Sequence, residues 1–540
     1  MEAQTDAAPR RRPRLHWLVL AAVAVALALL RVGPVLTTSP PQPDQVFLGF
    51  PYSIEDTLQY ADFVAQVRDH DRLLLANRFS LEQQDPRLIL LPIWLIGQLA
   101  ALLGLSVAAA WALAQALLII GFVFVLDWLL GRFFPRPGQR LFASLFILLA
   151  GGLDGWVVLV GDAWPEHWAA VLKRDLWPVL GWTPYMAMYN PLYLAGWLGL
   201  LGWLGLALLA LERRWWAAGA AAGGLVLLYL IHAYDAVVAA GALALAPLQP
   251  LLLRLDGRGA LRLAGPAALG LAGAAGVAAI VLWQAGDPLF ARVAAAGHSG
   301  LFVSPLIWLL GFGGILLAAC YGMRRLARPG ARPALLFGWL VTSAGLSFAP
   351  VFEGRHFLYF VSLPLGVLAV DGLWWLAGRL RPARRHWWWI GLLAVLVFGN
   401  SLVRVTVRAF SYPQRDARMF VTTGELRVAS ALRDLPPGGV LASRVSCNWL
   451  PHRADHPCVM GHWFLSPDMG RQMAMLRRLV APTTPPAERD RILAAFGARY
   501  LFWGPREEAL GVRPRPERVE LLPLVRHGRA FLLEIRLPER

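Results

Sequence analysis

Apolar residues in this chain come in long runs rather than in alternation. Runs of about 20 residues, the length a helix needs to cross a bilayer core, lie near Leu15–Leu36, Ser106–Leu130, Leu141–Val160, Leu192–Leu211 and Leu261–Trp283. Others lie near Leu301–Tyr321, Pro333–Val351, Phe357–Leu376 and Trp387–Val405. Trp215–Leu253 is too long for one crossing and reads as two short ones meeting near His232. Leu88–Leu103 follows Asp85-Pro86-Arg87 and runs almost straight into the next span, so it fits either a crossing or an interfacial helix. The first run has a basic front, but Leu36-Thr37-Thr38-Ser39-Pro40 is a poor cleavage site and more spans follow, so it reads as an uncleaved anchor.

Between the runs, polar positions gather in three places. The loop Thr37–Arg87 is long and acidic, with a helical pattern from Ile54 to Leu75. Gly161–Pro191 is rich in Trp and Pro. The tail from Arg408 has no run long enough to span and reads as a small α/β domain. In it Thr423–Asp434, Asp468–Leu479 and Ala487–Phe496 read as helices. Val440–Val445 and Arg499–Trp503 read as strands, and Leu521–Arg526 with Ala530–Arg536 as a hairpin turning at His527-Gly528. The expected organisation is therefore a basic N-terminus over 1–14, a membrane domain over 15–407 with its large first loop at 37–87, and a tail domain over 408–540.

Composition agrees with the runs. The 540 residues are 57% hydrophobic and only 16% charged, which excludes one soluble domain and a disordered chain. The net charge of +17 would suit a polyanionic partner, but its placement argues otherwise. The short segments 1–14, 131–140, 212–214, 254–262, 324–332 and 379–386 hold 20 Arg against four acids, which is +16 of the total. Short basic loops stay cytoplasmic. Placing them on one face requires that Leu88–Leu103 not cross and that Trp215–Leu253 cross twice. The fold class is thus a polytopic α-helical membrane protein of about eleven transmembrane helices. Its N-terminus is inside, and its C-terminal α/β domain is extracytoplasmic. The basicity is a topology signal, and no nucleic-acid partner is expected.

The candidate chemistry clusters at the outer ends of spans. Glu55-Asp56, with Tyr60 one helical turn on, offers a general base and a metal ligand; both acids equally suit the first turn of a helix. A carboxylate near a membrane wall can have a raised pKa, which suits base catalysis near neutral pH. Asp154 sits in an apolar segment, where an ionisable group usually lines a cavity, and Glu166-His167 lie between tryptophans. His232 and Asp235 suit a metal site, a His–carboxylate pair or a capped turn. Arg355 and His356 suit a phosphate, or Arg355 pairs with Glu353. Asp127 and Asp371, near inner span ends, read as structural. In the tail, Cys447 and Cys458 lie near His452, His456 and His462; a disulfide, a metal site and free thiols all fit. Metal candidates are Glu55, Asp56, His232 and Asp235, and a divalent metal is the one cofactor the residues suggest. No nucleotide-binding loop is present.

Glu55-Asp56 in a long first outer loop, followed by Asp85-Pro86-Arg87, resembles the acidic motif of the GT-C superfamily of integral-membrane glycosyltransferases. That superfamily includes protein mannosyltransferases, aminoarabinose transferases and oligosaccharyltransferases. Several phrases also look like a group of bacterial multispan proteins of this type: Gly152-Leu153-Asp154-Gly155-Trp156, Tyr189-Asn190-Pro191, His232-Ala233-Tyr234-Asp235, and Arg355-His356-Phe357 leading to Leu363-Pro364-Leu365. Gly461-His462-Trp463 and Phe502-Trp503-Gly504-Pro505 in the tail fit as well. A clear second paired-carboxylate motif is missing.

The resemblance implies a bacterial inner-membrane enzyme that takes a sugar from a polyprenyl-phosphate carrier and gives it to a glycan, lipid or protein acceptor on the outer face. Asp56 would be the base, and Glu55 its helper or a metal ligand. Arg355 and His356 would hold the donor phosphate. Tyr60, Asp154, Glu166, His167, His232 and Asp235 would line the cavity. Two other classes remain: a transporter or lipid flippase, which would need polar residues at mid-membrane depth, and a non-enzymatic envelope assembly factor that docks a partner through its tail.

Overall fold

The computed structural model describes residues 12–151, 188–296, 305–349, 355–380 and 416–538. The expectations placed on Asp154, Glu166, His167, Glu353 and the run Trp387–Val405 lie outside them. The chain forms two compact units. One comprises Met1–Gly33, Gln115–Ala278 and Ser299–Arg408; the other comprises Pro34–Ala114, Ala279–His298 and Ala409–Arg540.

The first unit is helical throughout its described residues, because its segments are apolar on nearly every face. Among the described residues of the whole chain, five helices are long and apolar enough to cross a membrane: Leu15–Thr37, Val107–Phe133, Pro191–Leu211, Gly257–Ala285 and His356–Arg379. A sixth crossing results if Ala233–Leu245 and Leu248–Arg254, bent by 50° at their junction, form one span. Close packing comes from glycines, as expected where lipid gives helices no hydrophobic drive to associate. A Cβ on Gly338 would collide with the Ala242 carbonyl, and one on Gly322 with that of Leu368. The break expected near His232 is real: Trp215–Ile231 ends there, His232 is extended at φ −161°, ψ 112°, and Ala233–Leu245 follows. Asp127 and Asp371 have structural partners. Asp127 bonds His16, Arg140 and Ser144, and Asp371 bonds Arg325.

The second unit is where the first loop and the tail fold together. Strand β1 (Gln45–Phe47) pairs antiparallel with β2 (Phe420–Thr422) in the register Val46↔Val421. Phe50, Phe63 and Phe79 from the loop share a core with Trp449, Tyr500 and Phe502 from the tail. A second sheet has the order β3-β4-β6-β5, formed by Val440–Leu441, Tyr500–Trp503, Ala530–Arg536 and Glu520–His527. The β5–β6 hairpin turns at Gly528, whose φ of +60° suits glycine. The apolar stretch before the second span is a helix of only 13 residues, Leu91–Leu103, or roughly 20 Å, short of the ~30 Å hydrocarbon core. It packs on the first-loop helix Ile54–His70, with Gly97 against Val67.

In this second unit two boundaries differ from expectation. The strand expected over Val440–Val445 stops at Leu441, because Ser443 caps a helix, Arg444–Ala454, by accepting from the Ser446 N–H at 3.2 Å. The loop helix ends at His70 rather than Leu75. Asp71 turns left-handed at φ 53° and closes the last turn onto Val67, and Leu75 then bridges to Leu88.

Candidate active site

The acidic pair opens the first-loop helix. Ser53, left-handed at φ 41°, precedes it and gives its hydroxyl to Asp56 Oδ2 at 2.8 Å. Glu55 and Asp56 occupy the first turn, where free N–H groups and the helix dipole favour negative charge. From there the two acids diverge in chemistry. Glu55 is neutralised: Arg418 donates to Oε1 and Arg444 to Oε2, each at 2.6 Å. Asp56 receives an imidazole, an indole and a hydroxyl instead. His462 Nε2 lies 3.1 Å from Oδ1, and the Trp463 side chain also donates to Asp56. The Phe464 N–H donates to His462 Nδ1 at 3.3 Å, which leaves Nε2 to carry the proton given to Asp56.

The Asp56 side chain is 37% exposed while its His462 partner is 2% exposed, so a reactant can reach the acid and not the group that orients it. A raised pKa is not found for this carboxylate. Burial pulls it upward, but the hydrogen bond and field of His462, with Ser53 and Trp463, outweigh burial and hold it below the ordinary value. Asp56 is therefore an anion throughout the neutral range. Tyr60, one turn on, stacks on Trp111 at 6.0 Å and 14°.

In the helical unit, three of the phrases noted in the sequence converge, those at Tyr189, His232 and Arg355. Asn190 caps the helix Pro191–Leu211 by accepting from the Leu192 N–H at 2.9 Å, and Tyr193 lies in its first turn. Asp235 is buried and hydrogen-bonded to His232 Nδ1, in space that a Cβ on Gly196 would fill. The Tyr193 ring lies 5.3 Å from His232 and 6.3 Å from His356, and Tyr234 lies 4.9 Å from His356. The structure thus joins His232, Asp235 and His356 in one aromatic-lined cluster. Arg355 begins the helix Arg355–Leu380 beside it in sequence.

Arg418, Arg444 and the His462–Asp56 contact were not picked out from the sequence. Arg418 and Arg444 stand 363 and 389 residues from Glu55, so only the fold brings them to it. Gly461-His462-Trp463 was the one signal available.

No protein-family model and no curated protein sequence matches the chain. Solved structures do. The apo oligosaccharyltransferase of Archaeoglobus fulgidus aligns at TM-score 0.59 and 12% identity, over 91% of this chain and 70% of that one. The oligosaccharyltransferase AglB of the same organism, with an inhibitory peptide and a dolichol-phosphate, aligns at 0.51 and 12%, over 92% and 70%. The mycobacterial arabinofuranosyltransferase AftD aligns at 0.54 and 16%, over 98% of this chain but 42% of its own length. The fold is GT-C-like.

Within this GT-C-like fold the metal candidates were tested against their surroundings. Both Glu55 oxygens are taken by guanidinium groups, and Asp56 has one imidazole beside it. Among the described residues, no three His, Cys, Asp or Glu side chains converge as a metal cage. Among the described residues the protein donors fall short of a zinc site, which wants three or four protein ligands, and of a calcium cage of six or more oxygens. The tail residues diverge too: His462 serves Asp56, His456 Nδ1 bonds the Gly438 carbonyl at 2.9 Å, and His452 is buried apart. Cys447 and Cys458 stand as buried free thiols in hydrogen-bond contact. Burial, and then Cys447, push the Cys458 thiol well above its usual range, which leaves it inert as a nucleophile.

Proposed function

We propose that this protein transfers a sugar from a polyprenyl-phosphate-linked donor to a hydroxyl of a glycan, lipid or protein acceptor, on the outer face of a bacterial inner membrane. The observation that carries the reading is the split chemistry of Glu55-Asp56: one acid neutralised by two arginines, its neighbour anionic, oriented and partly exposed. The GT-C-like fold supports it, as does the dolichol-phosphate bound by AglB.

Asp56 accepts a hydrogen bond from the acceptor hydroxyl and positions its oxygen. The bond between the anomeric carbon and the phosphate oxygen breaks, and its electron pair leaves with the phosphate. The acceptor oxygen forms the new bond to that carbon. A carboxylate of lowered pKa is a weak base, so the proton passes to Asp56 late, as the attacking oxygen acquires positive charge. Ser53, His462 and Trp463 hold the carboxylate during this change. Arg418 and Arg444 keep Glu55 from repelling a second negative charge nearby. Arg355 and His356 are assigned to the departing phosphate, and His232 and Asp235 to the wall of the donor cavity. No step is routed through a metal.

The test uses the purified full chain with a panel of radiolabelled polyprenyl-phosphate sugars and crude envelope acceptors. Transfer into a covalent product by the native chain, lost in Asp56→Asn, supports the reading. Full transfer by that variant removes Asp56 from the role, and movement of label across proteoliposomes without any product indicates a transporter instead.

A further inference from the structure

A second cavity, of about 430 Å³, lies within the unit built from the first loop and the tail. It is separate from Asp56: Arg68, on its wall, stands three turns further along the first-loop helix, roughly 18 Å at 1.5 Å per residue. One wall is apolar, from Phe50, Val107 and Leu426. The other carries Arg68, Arg433 and Arg453.

These three cations outnumber the two carboxylates beside them, Asp434 on the lining and Asp69 next to Arg68. Asp69 alone serves two of them, meeting Arg68 at 2.7 Å and Arg433 at 2.8 Å. Arg453 has no ion-pair partner among the described residues, and its Nε makes no hydrogen bond. Beside it His452 is only 4% exposed, and among the described residues neither ring nitrogen has a partner at full hydrogen-bond geometry. Burial, then the charges of Arg453 and Arg68, hold His452 neutral, with a weak opposing contact from the Trp449 backbone. A buried polar ring and a guanidinium left without partners are costly, and native proteins seldom keep them without a use. The volume is that of a small-molecule site, and guanidinium forks match tetrahedral phosphate oxygens.

We propose that this cavity binds a phosphate ester, its phosphate held by Arg453, Arg68 and Arg433 with His452 as a further hydrogen-bonding group, and its organic part laid on Phe50, Val107 and Leu426. Two sources share that chemistry: the headgroup of an anionic phospholipid and a soluble phosphate ester. Val107 begins the helix Val107–Phe133, which is apolar and long enough to span, and this favours the lipid.

The test titrates the detergent-purified full chain with glycerol 3-phosphate by calorimetry. In parallel, native mass spectrometry of chain released from 4:1 phosphatidylcholine–phosphatidylglycerol vesicles records retained lipid. Retention of phosphatidylglycerol without glycerol 3-phosphate binding identifies the lipid; the reverse identifies a soluble ester. In either case Arg453→Gln should weaken binding at least tenfold, and Arg518→Gln, an exposed change elsewhere in the tail, should not. Ser430→Glu is a second variant that needs no buried change, because Ser430 is exposed on the rim; it supplies a resident anion and should compete tenfold or more. Neither probe binding, or binding unchanged in Arg453→Gln and Ser430→Glu, overturns the proposal.

Discussion

At the scale of single residues, adjacent carboxylates acquire different lives from their partners. Asp56→Asn keeps the contacts with Ser53 and His462 sterically but removes the charge, so transfer should fall by roughly 10²- to 10⁴-fold. Its unfolding midpoint should stay within a few degrees of native, since the side chain is partly exposed. The pH dependence follows from the direction of the shift: a carboxylate held below its ordinary value is ionised at neutral pH. The native rate should therefore show no inflection from Asp56 between pH 6 and 8, and should decline only as acid protonates it. A rate profile rising with an inflection near pH 7 would place the essential base elsewhere. Asp62, two turns on, shows the opposite case. Burial raises it to about 6, against the charge of Arg78 and the bond from Gln66, with Asp455 reinforcing burial. The folded state then holds a proton that the unfolded chain releases, so stability falls as pH rises from about 4 to 6, to a cost of about 3 kcal/mol above that range. Asp62→Asn should flatten that slope in unfolding midpoints measured from pH 4 to 8, and an unchanged slope would assign the titration to another group.

At the scale of elements, the packing of the helix Leu91–Leu103 on the first-loop helix depends on one absent methyl group. A Cβ on Gly97 would overlap Val67 Cβ and approach the Val64 carbonyl at 3.2 Å. Gly97→Ala should destabilise the second unit by about 1–3 kcal/mol, read as a lower thermal midpoint of the purified chain. Adding Val67→Ala should not restore it, because the atom in the way is Val67 Cβ itself; restoration would mean that the two helices are free to separate. What the sequence disclosed divides along similar physical lines. Long apolar helices and the break at His232 were legible, because burial in lipid demands a run that composition alone displays. The hairpin was legible from alternation around His527-Gly528. The three-residue strands β1 and β2 were not, since three residues carry no period. Nor was the helix Arg444–Ala454, whose start depends on the Ser443 cap while Val440–Val445 reads as a strand. Within the site, Glu55 and Asp56 could be singled out by type and position. Their partners Arg418, Arg444 and His462 could not, because residues hundreds of positions away meet only through the shared core of loop and tail.

At the scale of the whole molecule, the charge pattern predicts a side of the membrane for each part, and that prediction is open to direct measurement. The short basic segments carry nearly all of the net charge, and the proposed topology, which retains them in the cytoplasm, puts the first loop, with Asp56, outside. The tail must share that side, because β1 of the loop pairs with β2 of the tail and their aromatic residues form one core. Two positions report on this. Arg328 is exposed in one basic segment, and Arg518 is exposed on the tail. In a Cys320→Ser background, which removes the exposed native thiol, Arg518→Cys should react with a membrane-impermeant maleimide in intact spheroplasts. Arg328→Cys should react only after the membrane is opened. Cys447 and Cys458 are buried and add little background. Labelling of both sites in intact spheroplasts would break the charge rule for this chain. Labelling of Arg328→Cys alone would invert the molecule, leaving Asp56 on the cytoplasmic face, away from any sugar presented outside on a lipid phosphate.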